Sequence, residues 1–213
     1  SAAAYLERMA QSVDRSAHKG NMMRWHTAMA AVRVAQGDAA AALELLDAAE
    51  RYERRDPLPR LRPVPAIKAR VWLGQGRVDD AMAWATQARL SVDDDLSYLR
   101  EYEHVTLARI LIARSAQDAL RLLERLQVAA QTGGRIGSVI EILVLQSVAR
   151  HALGNSRGAL DSLREALALA ESEGYLRVFL DEGPRVRDLL RTATARGLAE
   201  PYSPRVLLAF DSP

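Results

Sequence analysis

The chain has 213 residues, a net charge of +2 and a pI of about 9.1, with 49% hydrophobic but only 5% aromatic residues. That length holds one large domain or a short repeat array with a sizeable core, and 12 glycines and 8 prolines exclude collagen and bulk disorder. The absence of cysteine excludes disulfide scaffolds, thiol nucleophiles and Cys-ligated zinc or iron–sulfur sites, and favours a reducing compartment, the cytoplasm.

The chain opens Ser1-Ala2-Ala3-Ala4, with neither an initiator methionine nor a basic-then-apolar leader, as expected of a piece of a longer protein. A leading half-repeat is expected over residues 3–17. Paired helices follow at about 21–36 and 38–54, 65–74 and 78–92, 97–113 and 116–131, and 136–153 and 156–173. Between the first two pairs, Arg54-Arg55-Asp56-Pro57-Leu58-Pro59-Arg60-Leu61-Arg62-Pro63-Val64-Pro65 must be extended, because its prolines bar helix. The stretch 136–153 is the most apolar, yet Glu141, Gln146, Arg150 and His151 interrupt it well short of the roughly 20 apolar residues of a membrane span. Near the end, Asp181-Glu182-Gly183-Pro184 is a turn after residues 175–180. It redirects a helix over about 185–195, and a short helix over 202–210 closes the chain.

These pairs repeat. In Ala159, Leu160, Leu163, Ala166, Leu167 and Ala170 the apolar positions trace one helical face. Ala42, Ala81 and Ala119 head segments with the same core, so the anchors stand 39, 38 and 40 residues apart. Five residues before an anchor lie Gly37, Gly76 and Gly154, where a helix can end left-handed; the third repeat has Arg114 there. Small anchors let two helices approach closely, and a hairpin that cannot bury its face alone does so by stacking on its neighbours. The expected fold is therefore all-α: an α-solenoid of antiparallel helix hairpins, a tetratricopeptide-like superhelix forming one domain over 1–213. Its period exceeds the usual roughly 34 residues and the small glycine of the first helix is missing, which makes it a divergent version.

Three blocks carry a family resemblance. They are Arg62-Pro63-Val64 with Ala69-Arg70-Val71-Trp72-Leu73-Gly74-Gln75-Gly76-Arg77; Tyr98-Leu99-Arg100-Glu101-Tyr102-Glu103 with Thr106-Leu107-Ala108-Arg109; and Glu173-Gly174-Tyr175-Leu176-Arg177-Val178-Phe179-Leu180-Asp181-Glu182-Gly183-Pro184. In this order they resemble the helical-repeat domain of the MalT-like, ATP-dependent LuxR-family transcriptional regulators of bacteria. The resemblance implies an ATPase module before the repeats and a LuxR-type helix-turn-helix after them, neither of which is in this chain. It also implies a domain that senses, and that meets DNA only through the absent helix-turn-helix. Gly133-Gly134-Arg135-Ile136-Gly137 lacks the lysine and hydroxyl of a phosphate loop and is an ordinary loop, so no cofactor is expected.

No constellation points to catalysis. His18, His26, His104 and His151 lie in different segments, and Glu101-x-x-His104 has a di-iron spacing without the second copy that site needs. Neither a metal nor an enzyme is expected. The repeat register places Arg24, Thr27, Ala31 and Val34, then Pro63, Ala66, Arg70 and Leu73, on the inner faces of the first two first-helices. Glu101, His104, Ala108 and Leu111, then Glu141, Val144, Val148 and His151, follow on the next two. Arg24, Thr27, Arg70, Glu101, His104, Glu141 and His151 are thus the candidate ligand-binding residues, polar groups among small apolar ones in a concave groove. Solvated groups along an open groove are the bland alternative. Trp72 and Trp84 belong in the core, whereas Trp25, beside Arg24, is open to either role.

Residues 51–70 sum to +5 and residues 91–103 to −4, a pairing that suits either head-to-tail self-association or two solvated connections. The expected function is a regulatory repeat domain that binds a small-molecule inducer and promotes self-association. The alternative is an interaction scaffold that takes a peptide or partner domain in the groove, and no membrane partner is expected.

Overall fold

The computed structural model describes residues 19–53, 60–197 and 201–211. The leading half-repeat expected at 3–17, His18 and residues 54–59 of the proline-rich connection lie outside them. The described residues are all-α, with no strand among them, and are tetratricopeptide-like: hairpins of the α-solenoid class, stacked within each of two compact units.

In the first unit, α1 (Lys19–Ala35) pairs with α2 (Ala39–Glu53), which in turn packs on α3 (Val64–Gly74); α3 pairs with α4 (Val78–Gln87). A 3-10 turn (Tyr98–Arg100) and the start of α5 (Glu101–Arg114), up to Thr106, complete it. The second unit takes residues 91–96 and α5 from Leu107, then α6 (Ala116–Thr132), α7 (Ile136–Ala152) and α8 (Ser156–Glu173). It ends with the short α9 (Arg177–Leu180), α10 (Pro184–Ala195) and α11 (Ser203–Phe210).

The anchor alanines do what their size allows. Ala42, Ala81, Ala119 and Ala159 are completely buried, as are Leu46, Ala85, Leu123 and Leu163 four positions on. In the first unit Met23, Ala30, Ala42, Leu46, Ala49, Val64 and Val71 form one continuous apolar cluster. In the second, α7 is buried on every side from Ile142 to Ala149, as a helix apolar all round must be. Its polar members are satisfied: Gln146 donates to Gln127 Oε1 at 2.8 Å and Ser147 donates to the Val144 carbonyl at 2.7 Å.

Helix ends follow from local chemistry. Asp38 and Asn155 accept backbone N–H groups of the first turns of α2 and α8 at 3.0 and 2.9 Å. The Glu53 carboxylate does the same for α3 from outside it, accepting the Val64 N–H at 3.0 Å across the connection. At the C-termini, left-handed Gly37, Gly76 and Gly154 let the next N–H reach back five residues, each bond 2.9 Å long. Arg114 behaves otherwise: it stays helical, and Ser115 turns straight into α6.

Two boundaries differ from the sequence expectation. The helix expected over 78–92 stops at Gln87, because Arg89 takes the left-handed position (φ 52°) that glycine takes elsewhere, and the Leu90 N–H closes on Ala85 O at 3.0 Å. The helix expected from 97 begins as a 3-10 turn, with Arg100 reaching across to the Ala88 carbonyl at 3.0 Å.

Candidate functional site

The first unit holds Arg24, Thr27, Arg70, Glu101 and His104, and the second holds Glu141 and His151. In the first, the inner-face register of α1 runs along the surface: Arg24, Ala31 and Val34 are exposed and Thr27 is half-buried. The Thr27 hydroxyl donates back along its helix, to Arg24 O at 2.9 Å, which leaves its lone pairs as acceptors. Beside this stripe, Trp25 and His26 meet edge to face with centroids 4.9 Å apart, and His26 Nδ1 lies 2.7 Å from Met22 O. With Met29, Glu44, Leu45 and Ala48 they line an open cleft of about 510 Å³ between α1 and α2.

Further along the first unit, polar residues converge on one ring. Arg70 lies 3.7 Å above the Tyr102 ring and donates from Nε to Thr106 Oγ1 at 2.9 Å; Thr106 in turn donates to Tyr102 O at 2.8 Å. Arg62 stands 5.5 Å from the same ring. This stacking fixes the direction of a guanidinium that would otherwise wander over several rotamers. Glu101 and His104 lie inside rather than along a groove wall. His104 is fully buried, with Nδ1 3.0 Å from Arg100 O, and Glu101 is buried too.

Lys68 holds Asp47 at 2.7 Å and Glu50 at 3.1 Å and sits 5.6 Å from the Trp72 ring. Burial lowers its pKa, but the hydrogen bonds and charges of the two carboxylates outweigh that and raise it. Trp84 is buried in the core as expected, whereas Trp72 is only half-buried, with Lys68 and Arg77 at 5.6 and 5.7 Å from its ring, and Trp25 lines the cleft.

In the second unit Glu141 faces Arg109, its Oε1 2.9 Å from Nη2, and Glu182 holds the same guanidinium at 3.0 and 2.5 Å. Burial works against the charge on Arg109, yet the two carboxylates raise its pKa further above its ordinary value. Val144 and Val148, on the same register line as Glu141, are core, and His151 is exposed in the last turn of α7. The register line is therefore open on α1, partly covered on α3 and α7, and most covered on α5.

Four residues outside the candidate set carry the polar contacts: Tyr102, Thr106, Arg109 and Glu182. All four lie in the three blocks quoted above, and they join those blocks to one another, Arg70 to Tyr102 and Thr106 in one unit, Arg109 to Glu182 in the other.

This is a helical-repeat domain whose polar positions tie repeat to repeat. The family model described as the MalT-like TPR region matches residues 1–196, and the chain belongs to that family. No curated protein and no solved structure matches it. No helix among the described residues is long and apolar enough to cross a membrane.

Proposed function

We propose that this domain is the ligand-sensing, regulatory repeat region of a cytoplasmic LuxR-type activator, and that it works by binding and not by catalysis. The family match over residues 1–196 carries this reading. Arg24 and Thr27, on the exposed register stripe of α1, and the ring-stacked Arg70 are the residues we assign to the inducer, a small polar or amphipathic molecule. Binding acts by population shift: the inducer prefers one arrangement of the repeats, and that arrangement favours self-association, because equal affinity for both shifts nothing.

A second reading has its own observation. The cleft between α1 and α2 is open to solvent and not enclosed, which suits a peptide or a partner's helix better than an enclosed metabolite. A thermal-shift panel of sugars, sugar phosphates, amino acids, aromatic acids and acyl-lactones separates the two. A ligand at about 100 times its Kd adds roughly 2.7 kcal/mol. At about 2 to 4 °C per kcal/mol this raises the midpoint by about 5 to 10 °C. The inducer reading expects one chemical class to do so saturably, with the rise reduced in Arg24→Ala or Arg70→Ala. A flat panel favours the scaffold.

A further inference from the structure

Two of the sequence blocks meet in the second unit at one guanidinium, and the way its donors are spent is unusual. Arg109 gives Nε and Nη2 to a single oxygen of Glu182, at 3.0 and 2.5 Å, and the same Nη2 also lies 2.9 Å from Glu141 Oε1. The Arg109, Glu182 and Glu141 side chains are only 13%, 14% and 25% exposed. Meanwhile Arg109 Nη1 is fully buried and has no hydrogen-bond partner. A guanidinium binds a carboxylate best through two parallel N–H groups to two oxygens. Here one donor serves two acids while another is idle.

Such a cluster has a second arrangement ready. If Glu182 withdraws into water, Nη1 and Nη2 can close together on both oxygens of Glu141. The buried cation is then never left without a partner, the circumstance that makes loss of one member of a buried ion pair so costly.

Glu182 also sits where the backbone is built to turn. Gly174 caps α8 in the left-handed region (φ 68°, ψ 28°), and Gly183 precedes α10 at φ 68°, ψ −147°, a conformation essentially confined to glycine. Between them lies only the four-residue α9, whose one buried residue is Phe179. Tyr202 Oη donates to Tyr175 O at 3.3 Å and so ties α11 to this same segment.

We propose that Arg109 is the catch of a two-state device: with Glu182 engaged, the segment 175–183 holds α10 and α11 in place, and with Glu182 released these elements loosen together. The device does not depend on the inducer reading; any effector that prefers one arrangement can act on it.

Hydrogen–deuterium exchange of this chain tests it through two isosteric substitutions of opposite sign. Glu182→Gln removes the charge that holds the segment and accelerates exchange over 175–211 by about tenfold, leaving 116–173 unchanged. Glu141→Gln leaves Glu182 as the one carboxylate on Arg109 and slows exchange over 175–183. Arg109→Lys keeps the cation but loses the fork; it reproduces the Glu182→Gln pattern and serves in its place should that chain fail to fold. A Glu141→Gln chain whose segment exchanges as fast as the parent or faster, or an acceleration that spreads evenly through α6 and α8, overturns the proposal. So does the absence of any change in both Glu182→Gln and Arg109→Lys.

Discussion

Lys68 shows what one cation contributes at the residue scale. Its side chain is 16% exposed, and its ammonium is shared by Asp47 and Glu50 at 2.7 and 3.1 Å. The carboxylates raise its pKa in the folded chain, burial notwithstanding. A group whose pKa is higher folded than unfolded lends stability that is fully present below the unfolded value, about 10.4, and lost as the pH climbs through the folded one. Lys68→Met should therefore cost about 1 kcal/mol in urea melts at neutral pH. The gap between the two proteins should stay constant through mildly alkaline pH and close only above about 10.4. A gap that narrows already on going from pH 6 to 8 would show that another group, and not Lys68, sets it.

At the scale of the element, two glycines two positions apart should respond with opposite signs. Gly76 closes α3 at φ 74°, where any Cβ is strained, so Gly76→Ala should cost about 1 kcal/mol. Gly74 is the last residue of α3, has ordinary helical backbone, and would place a Cβ in open space. Gly74→Ala should therefore stabilise by about 0.5 to 1 kcal/mol. Denaturant midpoints of the two variants, measured side by side, check both signs at once.

The same positions explain how much of the architecture could be read in advance. Helix pairs and their register were legible because alanine anchors and closing glycines recur where helices must approach and end, and the anchors are all buried. The end of α4 was not, because Arg89 adopts a glycine-like conformation that nothing in its own chemistry announces. Nor were the polar contacts of the candidate site. Register says which residues share a helix face, but whether His104 meets water or the core depends on how far neighbouring helices cover that face. Arg24 is exposed on α1, while Arg109 and Glu182, 73 residues apart, are joined only by packing that no periodicity encodes.

For the whole molecule, the charge pattern raises the question of assembly. Residues 51–70 and 91–103 carry opposite sums, +5 and −4, at about one repeat's spacing. Part of that charge is answered locally. Lys68 is held by Asp47 and Glu50, Arg70 is stacked on Tyr102, Arg100 pairs with Glu103 at 3.0 Å, and Asp93 lies 3.7 Å from Arg121. Charges already paired within a chain offer little to a second copy, and what is left at the surface is screened over about 10 Å at 0.1 M salt and about 3 Å at 1 M. The ligand-free chain should accordingly sediment with the same coefficient from about 0.05 to 0.5 M NaCl, since no assembly driven by these two segments is present to dissolve. A coefficient that falls as salt is added would mean that the two segments do find each other between copies. In that case Arg62→Glu, which reverses an exposed charge whose one described contact is the Tyr102 ring, should abolish the fall.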